Sequence, residues 1–301
     1  MKRIGVTGLI LVALLASNCT TTPPQTAPKP VASPVEKTKP LLWEVRKPNY
    51  PKSYLFGTIH LGVHPKELHP IVWTYLKESE QVVLEADVMN ADREAIQKSI
   101  FLPKGKSMKK MLGNEYWSLL LKKAPQISPS TLERMSPHGL INILQSKAFQ
   151  GQTSMDLEIH KRAKSSKKSM VFLETVKFQT GLLSKLFTLD TVKDFLKQDD
   201  QAPFKSLMEF SEVYRSGNED RIYTMMINPP ENHLKMSPEH LKMLIDDRNQ
   251  NWATLLDTIF RRGKSFVAVG AGHMAGPQGL LELLKKRGFA ITRYEVEPGN
   301  M

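Results

Sequence analysis

Residues 265–296 read SFVAVGAGHMAGPQGLLELLKKRGFAITRYEV. The run Ser265 to Gly270 is short, apolar and closed by glycine, the pattern of a buried strand. Pro277 near the start and Gly288 just past the end bracket a helix over QGLLELLKKR. AITRYEV (290–296) then reads as a closing strand, so the stretch predicts an α/β architecture.

The same alternation extends back along the chain. LLWEV (41–45) and SYLFGT (53–58), separated by the turn-like KPNYP, predict a hairpin. QVVLEAD (81–87) reads as a buried strand preceded by a helix across His69 to Glu78. SMVFLET (169–175) is another strand, preceded by the basic helix DLEIHKRAKSSKK. The regions 92–165 and 176–262 are helix-rich, with methionine and leucine at helical spacing that read as core. The expectation is a mixed central β-sheet with flanking helices and a helix-rich middle region, forming a single domain over 41–301.

Composition narrows the class. The 301 residues carry 42 Lys+Arg against 30 Asp+Glu, a formal net charge of +12, with 41% apolar residues. These values exclude a polytopic membrane protein, a disordered chain and a collagen-like fibre. The lysines are dispersed, without an arginine-rich run, an RNP-like aromatic pair or zinc-finger spacing, so they read as solvated faces and no nucleic-acid partner is expected. A single cysteine excludes an internal disulfide.

The N-terminus reads as an address. Lys2 and Arg3 precede an apolar run from Ile4 to Ala16, too short to span a bilayer, and the lone Cys19 follows directly. Residues 1–18 are therefore expected to be a lipoprotein signal peptide with lipidation at Cys19, although Asn18 stands where a small residue is usual. Residues 19–40 follow as a Pro/Thr-rich tether, with six prolines and five threonines between 20 and 40. Export and lipid anchoring to a bacterial membrane, facing the periplasm or the exterior, are the expected localisation.

Two segments carry the chemistry. Gly57-Thr58-Ile59-His60 and Gly270-Ala271-Gly272-His273 each place an imidazole three residues past a glycine at a strand end. Ligands in open α/β sheets gather outside the carboxyl ends of strands, so both histidines are expected to face a cleft. Glu85 ends the apolar run Val82-Val83-Leu84, where an unpaired charge is costly, with Asp87 as backup on the same face. Two histidines and one carboxylate make a three-ligand metal site with an open water position. Glu174, ending Val171-Phe172-Leu173, is a parallel carboxylate. His64 and His69 read as loop residues, because HLGVH lacks the glutamate of H-E-x-x-H. His138, His160, His233 and His240 read as surface residues. No G-x-S-x-G elbow or phosphate-binding glycine loop is present.

Taken together, LLWEV, SYLFGTIHLG, VVLEAD, MDLEIHKRAKSSKKSMVFLET, DDRNQNW and FVAVGAGHMAGPQGLLELLKKRGF resemble the TraB/GumN family. Its relatives include the TIKI Wnt-inactivating proteases and, more remotely, erythromycin-esterase-like and ChaN-like proteins. The resemblance implies an active site of His60, Glu85 and His273, with Arg248 and Asn249 matching an Arg-Asn pair and Glu174 a Leu-Glu-Thr motif. It implies a hydrolase acting on a peptide or amide bond, with a peptide or small molecule as substrate. His60, Glu85 and His273 would bind a divalent metal (Mn or Co, with Zn possible) or position a water directly, and Glu85 would be ligand or general base. Arg248 would stabilise an oxyanion or clamp a substrate carboxylate; the alternative is a salt bridge to Glu85 or Glu174. Two other readings are a non-catalytic lipoprotein that binds haem, iron or a peptide, and a basic surface docking on anionic lipid or peptidoglycan.

Overall fold

A computed structural model describes residues 38–146, 152–229 and 236–296. The expected signal peptide, Cys19, nearly all of the tether and His233 lie outside the described residues.

Six strands form one sheet in the order β4-β3-β5-β2-β1-β6. They are β1 (Leu42–Arg46), β2 (Ser53–Thr58), β3 (Gln81–Leu84), β4 (Ser169–Phe172), β5 (Ser265–Gly270) and β6 (Ala290–Arg293). β1 and β2 pair antiparallel as the expected hairpin, and β6 adds antiparallel to β1. β2, β5, β3 and β4 are mutually parallel, which brings their four carboxyl ends to one edge of the sheet. β2 and most of β5 are fully buried, as their near-continuous apolar sequences require of strands covered on both faces.

Thirteen α-helices complete the described chain. They are α1 (Pro70–Glu78), α2 (Arg93–Ile100), α3 (Met108–Lys123), α4 (Pro129–Arg134), α5 (Pro137–Ser146), α6 (Met155–Ser165) and α7 (Val176–Leu186). The remainder are α8 (Leu189–Leu196), α9 (Ala202–Arg215), α10 (Glu219–Ile227), α11 (Pro238–Leu241), α12 (Asp247–Arg262) and α13 (Leu280–Lys286). One core surrounds the sheet; a second lies inside the helix-rich middle, built from residues such as Met108, Leu120, Leu140, Leu183 and Phe195. Met226 of α10 packs against both.

Two expectations about histidines need correction. His138 and His160, expected at the surface, are buried. Each lies on the inward face of its helix, between apolar residues that the periodicity also turns inward: Leu140 and Ile141 on α5, Ile159 and Ala163 on α6. His138 stacks on Phe187 and His160 on Phe172, and burial holds both imidazoles below their ordinary pKa. His64 and His69 are loop residues as expected; each accepts a backbone N–H through Nδ1, and His69 caps the start of α1.

The loop after β5 needs its glycines for close approach rather than for phosphate. A Cβ on Gly272 would lie 2.4 Å from the sulfur of Met226, and one on Gly276 2.4 Å from the ring of Tyr223. Gly276 also holds φ +89°, in the region L side chains avoid. Gly276→Ala is expected to lower stability by about 1–3 kcal/mol in denaturant titration. Gly181→Ala, in α7 with open space around it, should raise it by about 0.5–1 kcal/mol.

Candidate active site

The four parallel strand ends set the positions. In the register Leu84 lies opposite both Ala268 and Phe172, so Glu85 emerges one residue beyond β3, beside Gly270 and Glu174. The pairing continues there, with the Glu174 N–H donating to the Glu85 carbonyl at 2.9 Å. His60 follows β2 and His273 follows β5, whose Thr58 and Gly270 are register partners.

Arg248 reaches this edge from α12. A π-helical turn, Lys242–Asp246, directly precedes that helix and resets its phase, as such turns do next to functional sites. The inward face then carries Arg248, Asn249, Trp252, Ala253 and Leu256. The guanidinium is 4% exposed and all five of its N–H donors are used. Nε and NH2 grip Glu174 as a fork, at 3.1 and 2.7 Å. NH2 also donates to Glu85 Oε2 at 2.7 Å, while NH1 meets the Leu244 carbonyl at 2.9 Å and His273 Nε2 at 3.1 Å. The Arg248 guanidinium lies over the Trp252 ring at 4.4 Å, and that ring packs at a tilt against His273, with centroids 4.4 Å apart.

Each partner is fixed in turn. Glu85 accepts the Gly270 N–H at 2.8 Å through Oε1 and the Gln179 amide at 3.1 Å through Oε2. Burial works against its charge, but Arg248, His273, His60 and the Gly270 N–H outweigh it and hold the carboxyl down at about 2. Asn249 donates through Nδ2 to the carbonyls of His273 and Gln278, which leaves its Oδ1 to accept from His273 Nδ1 at 2.7 Å. His273 is therefore the Nδ1–H tautomer, with its Nε2 lone pair aimed at Arg248. Burial and the neighbouring guanidinium push its pKa down to about 3.

His60 stands apart from this network. Its side chain keeps 21% of its surface exposed, and Nδ1 lies 2.6 Å from Asp156 Oδ2. The other Asp156 oxygen accepts from Thr58 Oγ1 at 2.8 Å. Burial opposes the imidazolium, but Asp156 overcomes it and raises His60 to about 9. Glu85 and Arg248 are close enough for their charges to act on it, with opposite sign.

The structure therefore joins Glu85, Glu174, Arg248, Asn249 and His273 by direct contact and sets His60 beside them. The salt bridge considered for Arg248 is realised with both Glu85 and Glu174, and no N–H is left over for an oxyanion. Asp87, the backup carboxylate, instead accepts from Asn90 in its own loop. Atoms of all three expected metal ligands are already engaged: Glu85 Oε2 and His273 Nε2 by the Arg248 guanidinium, and His60 Nδ1 by Asp156. Among the described residues no group of three or more His, Cys, Asp or Glu is arranged to hold a metal. This donor set does not fit a divalent ion as it stands.

Two contributors escaped the sequence reading. Asp156, in the first turn of α6 behind the cap Ser154, looks like an ordinary acidic N-terminal residue. Gln179 sits one turn into α7 and looks like any polar helix position. Asp156 lies in the segment MDLEIH, yet nothing in the pattern of that segment distinguishes it.

The cluster lies outside the carboxyl ends of the parallel strands, where ligands of open α/β sheets gather. The chain belongs to the TraB/PrgY/gumN family, which it matches over residues 41–293. No curated protein and no solved structure matches it.

The two histidines set opposite limits on stability. His60, raised to about 9, contributes stability that is full below its ordinary 6.5 and lost as pH rises through 9. His273, lowered to about 3, contributes stability that is full above 6.5 and lost as pH falls towards 3. Glu85 adds to the acid loss below its ordinary 4.5. Stability measured by urea titration across pH should peak near neutrality. Asp156→Asn should flatten the alkaline limb, and His273→Gln the segment between pH 6.5 and 4.5. Glu85→Ala, which strips the buried guanidinium of a partner, should cost about 3–5 kcal/mol.

Proposed function

We propose that the protein is a hydrolase of peptide or amide bonds in which His60, oriented by Asp156, moves the proton. The observation that carries this reading is the His60–Asp156 pair: a partly exposed imidazole, at the end of a buried parallel strand, held through Nδ1 by a carboxylate that Thr58 fixes in turn. That arrangement leaves Nε2 as the nitrogen for a water or a leaving group, the geometry of an oriented general base. Both Gly-x-x-His segments lie within the span that matches the TraB/PrgY/gumN family.

In this reading His60 Nε2 takes a proton from water as its oxygen attacks the scissile carbonyl carbon. The imidazolium, stabilised by Asp156, then returns that proton to the amide nitrogen. The C–N bond breaks, releasing a carboxylic acid and an amine. The Arg248 network lies beside this pair, and Glu85, held at about 2, is too weak a base to share the proton transfer. Export, with lipid attachment at Cys19 and the folded domain held off a membrane by the tether, belongs to the same proposal.

The test is turnover of a peptide library by the full chain. His60→Ala is expected to lower kcat/KM by about 10²–10⁴-fold with the fold intact by circular dichroism. The rate should climb with pH towards an inflection near 9 as His60 loses its proton. Asp156→Asn should move that inflection to lower pH while reducing the rate. Undiminished cleavage by His60→Ala would overturn the proposal.

A further inference from the structure

The centre of the Arg248 network has the composition of a cation site. Two carboxylates, a neutral imidazole nitrogen and a backbone carbonyl oxygen come to one side chain from the residue after β3, the segment after β4, the loop after β5 and the turn before α12. Oxygen and imidazole donors of this kind are those that divalent ions take. Asn249 adds a directional element: by accepting from Nδ1 it turns the His273 lone pair inward, as a metal-binding imidazole is turned by its outer partner. What meets these donors is a guanidinium, planar, singly charged and with every N–H matched to an acceptor.

We propose that Arg248 is a resident cation that occupies the position of a divalent metal and keeps this site metal-free in the native chain. The donors are spread to suit the fork. Glu85 Oε2 and Glu174 Oε1 lie 2.7 Å from NH2, and His273 Nε2 lies 3.1 Å from NH1. These are hydrogen-bond separations rather than the roughly 2.0–2.2 Å of metal bonds. The inference concerns what binds here, goes beyond the hydrolase reading and survives if that reading fails.

The test reads binding rather than turnover. Full-length wild type, freed of metal by chelator, is titrated with Co²⁺ and followed by visible absorption, beside Arg248→Ala and His273→Gln. Wild type should show no Co²⁺ binding that His273→Gln removes. Arg248→Ala should accept a replacement cation, either Co²⁺ or methylguanidinium. At ten times its Kd the cation should raise the Tm by about 3–6 °C, with tetramethylammonium at equal concentration as the inert control. Should Arg248→Ala not fold unaided, one of the two cations should restore a cooperative transition. One equivalent of Co²⁺ on wild type, lost in His273→Gln, overturns the proposal. So does an Arg248→Ala protein that responds to neither cation.

Discussion

The guanidinium of Arg248 is a charge buried between the sheet and the helical region, and the surrounding structure follows from keeping it satisfied. An unpartnered cation in that position would cost several kcal/mol. Here each N–H finds an acceptor, and these come from separate parts of the chain: Glu85, Glu174, Leu244 and His273. Sheet order, strand register and the phase of α12 all have to be right before the five bonds can form. A shift in any one of them would leave part of the buried guanidinium without an acceptor.

The same electrostatics divide the two Gly-x-x-His histidines into different jobs. His273 is walled in by Arg248, Trp252 and Asn249, so its ring stays neutral and serves as an acceptor. His60 has one carboxylate beside it and a partly exposed side, so its ring is biased towards the charged form. Two similar sequence signals thus yield one enclosed neutral imidazole and one partly exposed imidazole paired with a carboxylate, separated by environment alone.

Much of the fold was legible because its signals are local. The hairpin of β1 and β2, the buried runs of β3 and β5, and the Pro-to-Gly span around α13 each follow from periodicity or punctuation over a few residues. Glu85 drew attention because a charge closing an apolar strand needs a partner, and Arg248 and the Gly270 N–H supply it. Asp156 and Gln179 were not, since both sit at positions where a helix accepts a polar residue anyway. The π-helical turn before α12 was equally hidden, and it decides whether Arg248 points inward. The partners of the three expected metal ligands were hidden for a related reason. Residue types suggested three ligands, but only their three-dimensional arrangement shows that a guanidinium and Asp156 already hold the relevant atoms.

The most direct test of this division is a ¹⁵N NMR titration of the imidazole rings in the full chain, assigned with His60→Gln and His273→Gln. His60 should titrate near 9, and His273 should remain a neutral Nδ1–H tautomer at pH 5. Two rings titrating together near their ordinary 6.5, or a proton on Nε2 of His273, would contradict the account.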